Sequence, residues 1–415
     1  SIRRLNVYQS CKQKGKRVEH PLKSKVFILT LLLGCLLMFN PVGLDMFLPA
    51  VPNIAKGLDV SSNQIMKSMS ALFIGNALGR LILGPLADRY GRKPIILLTL
   101  IVFTGSAFAS GLALSIEFFI FCRFIQGLAI AGGHVLSLSV ARDLFEKEHL
   151  GKLIANATAI MGLAGIVFPI LGGQIIQFLP WQSIFWIMST FGITVFSFVL
   201  YSFKETIKRR NPRATNPQFL IKNWFKIIIS PVFLGYALCT GFVSAGFFAY
   251  VTVSPTVLRE IYGVSGLFYG LSFAILALFF VISNLIAGKI VIRIGQFQLI
   301  ALGEIMVVFG AGIMLGLSMM GIDGPYSIII PTAIYFFGIG WIVPQSNALA
   351  LQPFEDSAGT ASALLGFISM TVSAIMGFSL SFGIHNDATF LSIAMSASGL
   401  SSFLIFFLLI KNRLE

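Results

Sequence analysis

Apolar residues arrive along this chain in long unbroken blocks, and the polar positions collect in the short gaps between them. Twelve blocks are long enough to cross ~30 Å of hydrocarbon as helix. They cover roughly residues 26–51, 64–86, 94–114, 116–141, 150–178 and 181–203, then 231–254, 266–291, 296–319, 326–351, 358–382 and 390–410. Short breaks such as Pro180 and the Gly321-Ile322-Asp323-Gly324 turn force antiparallel neighbours. The pattern therefore predicts an all-α integral membrane protein of twelve transmembrane helices with both termini on one side.

Composition sharpens this reading. Of 415 residues 56% are apolar and 11% charged, with a mean hydropathy of +0.88, whereas a soluble chain carries about a quarter charged residues. A soluble globule is excluded. The net charge of +14 would suit a nucleic-acid partner, but the Lys and Arg fall in patches at span ends. Eight lie in the first 25 residues and seven between Lys204 and Lys226; in all, 25 of the 30 sit on the side of the termini and three (Lys56, Lys67, Arg259) on the other. The remaining two, Arg80 and Arg123, lie inside spans. By the positive-inside rule the termini and the 204–230 loop are cytoplasmic; an inner (plasma) membrane location and no nucleic-acid partner are expected. The basic start leads into a full span with no small-residue cleavage site, so no cleavable signal is expected. Cys11, Cys35, Cys122 and Cys239 show no CxxC spacing, which indicates neither a metal site nor a disulfide frame.

The stretch 204–230 holds Pro212, Pro217 and most of the central basic charge, and it divides the spans six and six. The expected organisation is a cytoplasmic basic tail (1–25), an N-terminal six-helix half (26–203), a cytoplasmic linker (204–230) and a C-terminal six-helix half (231–415). An internal echo supports duplication: Gly84, Arg89 and Gly91 after the second span return at identical spacing as Gly288, Arg293 and Gly295 after the eighth. Parallel repeats of this kind build two-half transporters.

The loop Gly84-Pro85-Leu86-Ala87-Asp88-Arg89-Tyr90-Gly91-Arg92-Lys93-Pro94 resembles the cytoplasmic signature of the major facilitator superfamily. The stretches 44–52 (LDMFLPAVP) and Arg123-Phe124-Ile125-Gln126-Gly127 resemble the twelve-helix drug:proton antiporters, and 250–255 (YVTVSP) with 358–366 (AGTASALLG) resemble the Bcr/CflA drug-resistance subfamily. The resemblance implies the major facilitator fold and proton-coupled export of drugs. It also implies a gate latch of Asp88, Arg89, Gly91 and Arg92, in which Asp88 pairs with neighbouring bases and with the N-terminal end of the eleventh helix near Gly359. Two departures stand out: Phe168-Pro169 replaces the usual Gly-Pro of the fifth helix, and Arg80 occupies the place of a usual Gln.

A carboxylate inside a span is costly and responds by holding a proton or finding a cation. Asp45 and Arg123 lie at one depth, each about seven residues from the outer end of its helix, roughly 10 Å. Asp45 is expected to exchange a proton or meet a cationic substrate, with Arg123 tuning it and Gln126 extending the network; the structural alternative is an Asp45 that pins its helix before Pro49. Arg80 either attracts an acidic substrate group or snorkels to the headgroups. His134 is either a second proton site or a buried histidine bonded to a carbonyl. Glu304 reads as a snorkelling or loop-pairing acid. Asn284, Gln345 and Asn347 either touch substrate or tie helices together, and Phe247 and Tyr250 are candidates for an aromatic substrate wall.

The sequence holds no phosphate loop, no HExxH and no loop long enough for a catalytic domain, so no enzyme is expected and no cofactor beyond a proton gradient. The expected partners are a small-molecule substrate, protons and membrane lipids, with the chain a monomer. An exporter of small amphiphilic compounds or drugs is the first reading. An exporter of an endogenous anionic metabolite, such as a carboxylate siderophore, is the second, motivated by Arg80 and Arg123. A non-transporting membrane enzyme or scaffold is the remote third.

Overall fold

The computed structural model describes residues 20–144, 147–207, 210–380 and 388–410. Twelve helices among them are long and apolar enough to cross a membrane. The first span is broken into α1 (His20–Leu37), α2 (Phe39–Leu44) and, after a 3-10 turn at Leu48–Ala50, α3 (Val51–Gly57). The breaks follow from Pro41, Pro49 and Pro52, which lack the N–H a continuous helix needs. The other five spans of the first half are α4 (Ser62–Tyr90), α5 (Arg92–Gly111), α6 (Ile116–Leu144), α7 (Lys147–Phe178) and α8 (Gln182–Ser202).

A linker helix α9 (Pro217–Ile228) precedes the second half: α10 (Pro231–Ser254), α11 (Gly266–Ile294), α12 (Gln296–Met319), α13 (Pro325–Leu351), α14 (Ala358–Leu380) and α15 (Ala388–Ile405). The α9 helix exposes Ile221, Phe225 and Ile228 beside Lys222 and Lys226. This amphipathic pattern suits the water–lipid boundary. We call its end of the bundle the linker face.

The internal echo has the same geometry in both halves. Gly91 and Gly295 take φ of 110° and 86°, and each donates its N–H back to a helical carbonyl four residues earlier, at Ala87 and Val291. Only glycine adopts that backbone without strain, which lets α4 turn sharply into α5 and α11 into α12.

The two halves meet along α4 against α14 and α7 against α11. Away from the linker face this seam is closed by backbone contact. A β-carbon at Gly173 would stand 2.4 Å from the carbonyl oxygen of Gly266, and one at Gly270 equally close to that of Pro169. Polar bonds across the seam lie at the same end: Arg259 donates to the Pro49 carbonyl and to Asn53 Oδ1 at 2.9 Å, and Ser62 donates to Glu260. The unusual Phe168-Pro169 pair thus leaves close packing of this helix intact, because Gly173 and the Pro169 carbonyl make the approach. Leu163, Val167, Leu285 and Ile292 are exposed on the outer surface, where lipid would cover them.

Candidate functional site

On the linker side the seam parts around a cavity of about 250 Å³, far above the ~15 Å³ that one water needs. Its polar lining is Arg80, His134, Ser137, Thr158, Asn347 and Ser362, and its apolar wall includes Leu33, Leu37, Leu351 and Leu365. Both halves contribute. Ala141 ends near the linker face on α6 and Leu351 does so on α13, which sets the depth of the cavity within the last turns of the bundle.

Arg80 does not snorkel to the headgroups. Its Nε donates to Asn76 Oδ1 at 2.9 Å, which turns the side chain inward across the seam. A β-carbon at Gly366 on α14 would lie 2.5 Å from an Arg80 nitrogen, so the glycine provides the notch that the guanidinium fills. No acidic residue pairs with Arg80 among the described residues. Of the two readings of His134, a second proton site or a buried histidine bonded to a carbonyl, the carbonyl bond is not made among the described residues: the side chain faces the cavity with no hydrogen-bond partner there. Two glycines before it and the small Ser137 after it keep α6 thin here.

Asp45 and Arg123 part company. Arg123 is fully buried in the N-terminal half: Nη1 donates to Gln126 Oε1 at 2.5 Å, Nη2 to Met69 Sδ at 3.3 Å, and the guanidinium lies 4.5 Å from the Phe47 ring centroid. Aromatic faces and a neutral amide take the place expected for a carboxylate. The expected tuning of Asp45 by Arg123 has no direct contact in this structure, since no hydrogen bond or ion pair joins them. Asp45 is 7% exposed. It sits in the bend of the first span at the seam, with its Oδ2 3.8 Å and the Ala277 β-carbon of the other half 4.0 Å from where a Gly165 side chain would begin. No side-chain hydrogen bond pins the helix through Asp45 among the described residues.

The other candidates divide. Asn347 lines the cavity, with Oδ1 buried and unpartnered among the described residues. Phe247 packs against Phe248, Phe273 and Phe336, and Tyr250 against the last two, inside the C-terminal half. Asn284 donates to the Phe280 carbonyl at 2.8 Å, within its own helix. Gln126 and Gln345 are buried outside the cavity lining. Glu304 neither snorkels nor pairs with a loop. It is fully buried, and its Oε1 accepts from Cys239 Sγ at 2.9 Å and Ser402 Oγ at 2.7 Å, tying α12 to α10 and α15.

At the linker face the Asp88 carboxylate pairs with Arg92 Nη1 at 2.6 Å, and Arg92 Nε reaches Asp143 at 3.1 Å. Arg89 bonds Thr215, and the Asp88 carbonyl accepts from the Asn211 N–H. The expected pairing of Asp88 with the eleventh helix near Gly359 is not made among the described residues; beside Gly359 lies Arg142. A full cation on the next helix of the same half outcompetes the partial charge of a helix end.

Sequence reasoning missed Glu205. Its carboxylate accepts from the backbone N–H groups of Arg92 and Lys93, and of Thr206 and Ile207, at 2.9–3.2 Å. Burial raises its pKa, and the four N–H bonds lower it by more, so the carboxyl stays below its ordinary value of 4.5. The signal available in sequence was a lone acid amid the basic residues that follow the sixth span.

Comparison with known proteins agrees with this architecture. Residues 33–378 match the Major Facilitator Superfamily. A bicyclomycin resistance protein homolog of Haemophilus influenzae is 32% identical over 95% of this chain and 98% of its own. An uncharacterized MFS-type transporter, YdgK, of Bacillus subtilis is 31% identical over 86% and 90%, and the multidrug resistance protein MdtL of Salmonella typhi is 27% identical over 89% and 92%. Among solved structures, the Escherichia coli xylose transporter XylE in a partially occluded inward open conformation superposes with a TM-score of 0.72 at 14% identity, covering 93% of this chain and 99% of that one. The chain is thus a multi-pass membrane protein of the transporter type rather than an enzyme, and it belongs to the major facilitator superfamily.

Proposed function

We propose that this protein is a proton-coupled antiporter that exports small amphiphilic compounds across the inner membrane by alternating access, with its termini and linker face in the cytoplasm. The drug-resistance names of its relatives support the cargo class, and the basic residues crowded on one side support the orientation. In this reading the cavity receives substrate from the cytoplasm, and the Gly173–Gly266 closure is the outer gate. The Asp88–Arg92 group is the inner latch in its released position, with Arg89, Gly91 and Gly359 completing it when the halves rock.

Proton coupling rests on one observation: a buried carboxyl at Asp45 with no cation beside it, at the seam that must open and close. Asp45 takes a proton when the outer face opens and releases it to the cytoplasm as substrate enters. The chain acts as a monomer among membrane lipids and uses no cofactor beyond the proton gradient. The test is export from proteoliposomes under an imposed pH gradient, with a lipophilic cation, a neutral amphiphile and an organic acid as cargo. Asp45→Asn abolishes gradient-driven export while substrate exchange at equal pH survives. Gradient-driven export at the wild-type rate in that variant overturns the coupling role.

A further inference from the structure

The electrostatics of the cavity are one-sided. No Asp or Glu is among the described residues that line it, while Arg80 stands in its wall and His134 faces into it. Asn76 uses only the Nε–H of Arg80, which leaves the four N–H groups of the two terminal nitrogens without a protein acceptor among the described residues. An uncompensated guanidinium within a membrane span marks a functional site by default. Here the alternatives are closed off: the side chain is held by Asn76, seated in the Gly366 notch of the other half, and turned away from the headgroups. The buried acids Asp45 and Glu304 do not line the cavity. At the linker face, Asp88 and Asp143 are taken by Arg92, and the exposed Arg142 adds a further positive charge beside Gly359.

We propose that this cavity is a binding site for an amphiphilic organic anion, whose carboxylate is held by the Arg80 fork while its apolar body lies against Leu33, Leu37, Leu351 and Leu365. A planar guanidinium offers parallel N–H donors that match a carboxylate's two oxygens. His134 and the unpartnered Asn347 Oδ1 add a donor and an acceptor for further polar groups of the ligand. The same wall disfavours cations, since their charge meets Arg80 with no acid to offset it. This inference rests on the cavity being the transport site. It narrows the cargo from amphiphilic compounds in general to organic acids.

The test uses three probes of one shape: naphthalene-2-carboxylate, 2-naphthamide and 2-naphthylmethylammonium. Binding to the full chain in nanodiscs of zwitterionic lipid is measured at equilibrium by calorimetry, with no pH gradient. Failure of proton coupling at Asp45 therefore leaves the result untouched, and failure here leaves the coupling test untouched. The carboxylate is expected to bind at least about tenfold tighter than the amide, a difference of 1.4 kcal/mol, and the ammonium is expected to bind weakest. Arg80→Gln should bring acid and amide together, while Arg80→Lys, which keeps the charge but loses the fork, should retain part of the preference.

Equal affinity of acid and amide for the wild type overturns the proposal, as does an acid preference that survives Arg80→Gln. Should Arg80→Gln fail to fold, the wild type still decides: acid affinity must fall with ionic strength while amide affinity holds. A lipid phosphate is the other anion that could reach this site. If nanodiscs of anionic lipid abolish naphthoate binding, the site belongs to a headgroup and the cargo reading is overturned.

Discussion

Closure of the outer face is attributed to backbone contact between α7 and α11, and the smallest possible perturbation tests it. Gly173→Ala adds one methyl group, whose carbon would lie 2.4 Å from the Gly266 carbonyl oxygen, 2.9 Å from its carbon and 3.1 Å from Leu267 Cα. All three are backbone atoms, so no side-chain rotation relieves the clash. A carbon–oxygen contact settles at about 3.3 Å, which requires the helices to separate by about 0.9 Å. Overpacking of this kind costs about 1–3 kcal/mol, and it falls only on the state whose outer face is shut. At ~2 kcal/mol the balance between inner-open and outer-open states shifts about 30-fold toward the outer-open one. Spin labels at Lys56 and Ile261, one on each half near that face, report the shift as a longer distance population in nanodiscs. An unchanged distance distribution together with wild-type transport would show that the outer gate is sealed elsewhere, by the Arg259 and Ser62 bonds rather than by the glycine contact.

Two further predictions concern buried and capping acids. Glu205→Gln should lower thermal stability by about 1–2 kcal/mol, because a neutral amide offers one acceptor oxygen to four N–H donors at the start of α5 and in the segment that follows α8. Since the folded-state pKa of Glu205 is depressed, the wild-type advantage is fully present above the ordinary value of 4.5 and closes as pH falls through the lower folded value; unfolding midpoints of both proteins across that range check the sign. Glu304→Gln should be tolerated, since the amide oxygen still accepts from Cys239 and Ser402, whereas Glu304→Leu strands the thiol and costs about 1–3 kcal/mol. Equal losses of unfolding midpoint for the two variants would contradict that account.

The spans, their number and the two-half arrangement were legible because each rests on local chain properties: length of an apolar block, charge at its ends, a glycine at a sharp turn. The bend at Asp45 was only half legible, since Pro41, Pro49 and Pro52 announce a break but not that the carboxylate will face the other half. Depth along an ideal helix placed Asp45 and Arg123 together; the broken helix rotates Asp45 toward Gly165, and Arg123 turns instead onto Phe47 and Gln126. Rotation about a helix axis is invisible to a one-dimensional depth count, and the same gap hid the inward turn of Arg80, which depends on Asn76 one turn back and on Gly366 in the opposite half. Glu304 was misread for a related reason: its partners Cys239 and Ser402 lie far off in sequence and offer weak, unremarkable donors.

Where polar groups are buried also bears on how such a molecule moves. Each half keeps a polar node wholly within itself, Arg123 with Gln126, Met69 and Phe47 in the first, Glu304 with Cys239 and Ser402 in the second. A node of this kind is lost at a cost of several kcal/mol if its helices separate, because the orphaned groups cannot reach water. The seam between halves is built differently: glycines against backbone, with the bonds of Arg259 and Ser62, on the outer side, and on the inner side a cavity of about 250 Å³ whose guanidinium leaves most of its donors free of protein partners among the described residues. Dispersion contacts between helices reform readily after sliding, and an arginine whose only protein hydrogen bond among the described residues is to Asn76 of its own helix breaks no hydrogen bond when the other half moves away. The low-cost motion is therefore rigid rotation of one half against the other, and Asp45, Arg80 and His134, with Arg259 and Glu260 on the outer side, are among the ionisable groups whose surroundings that rotation changes.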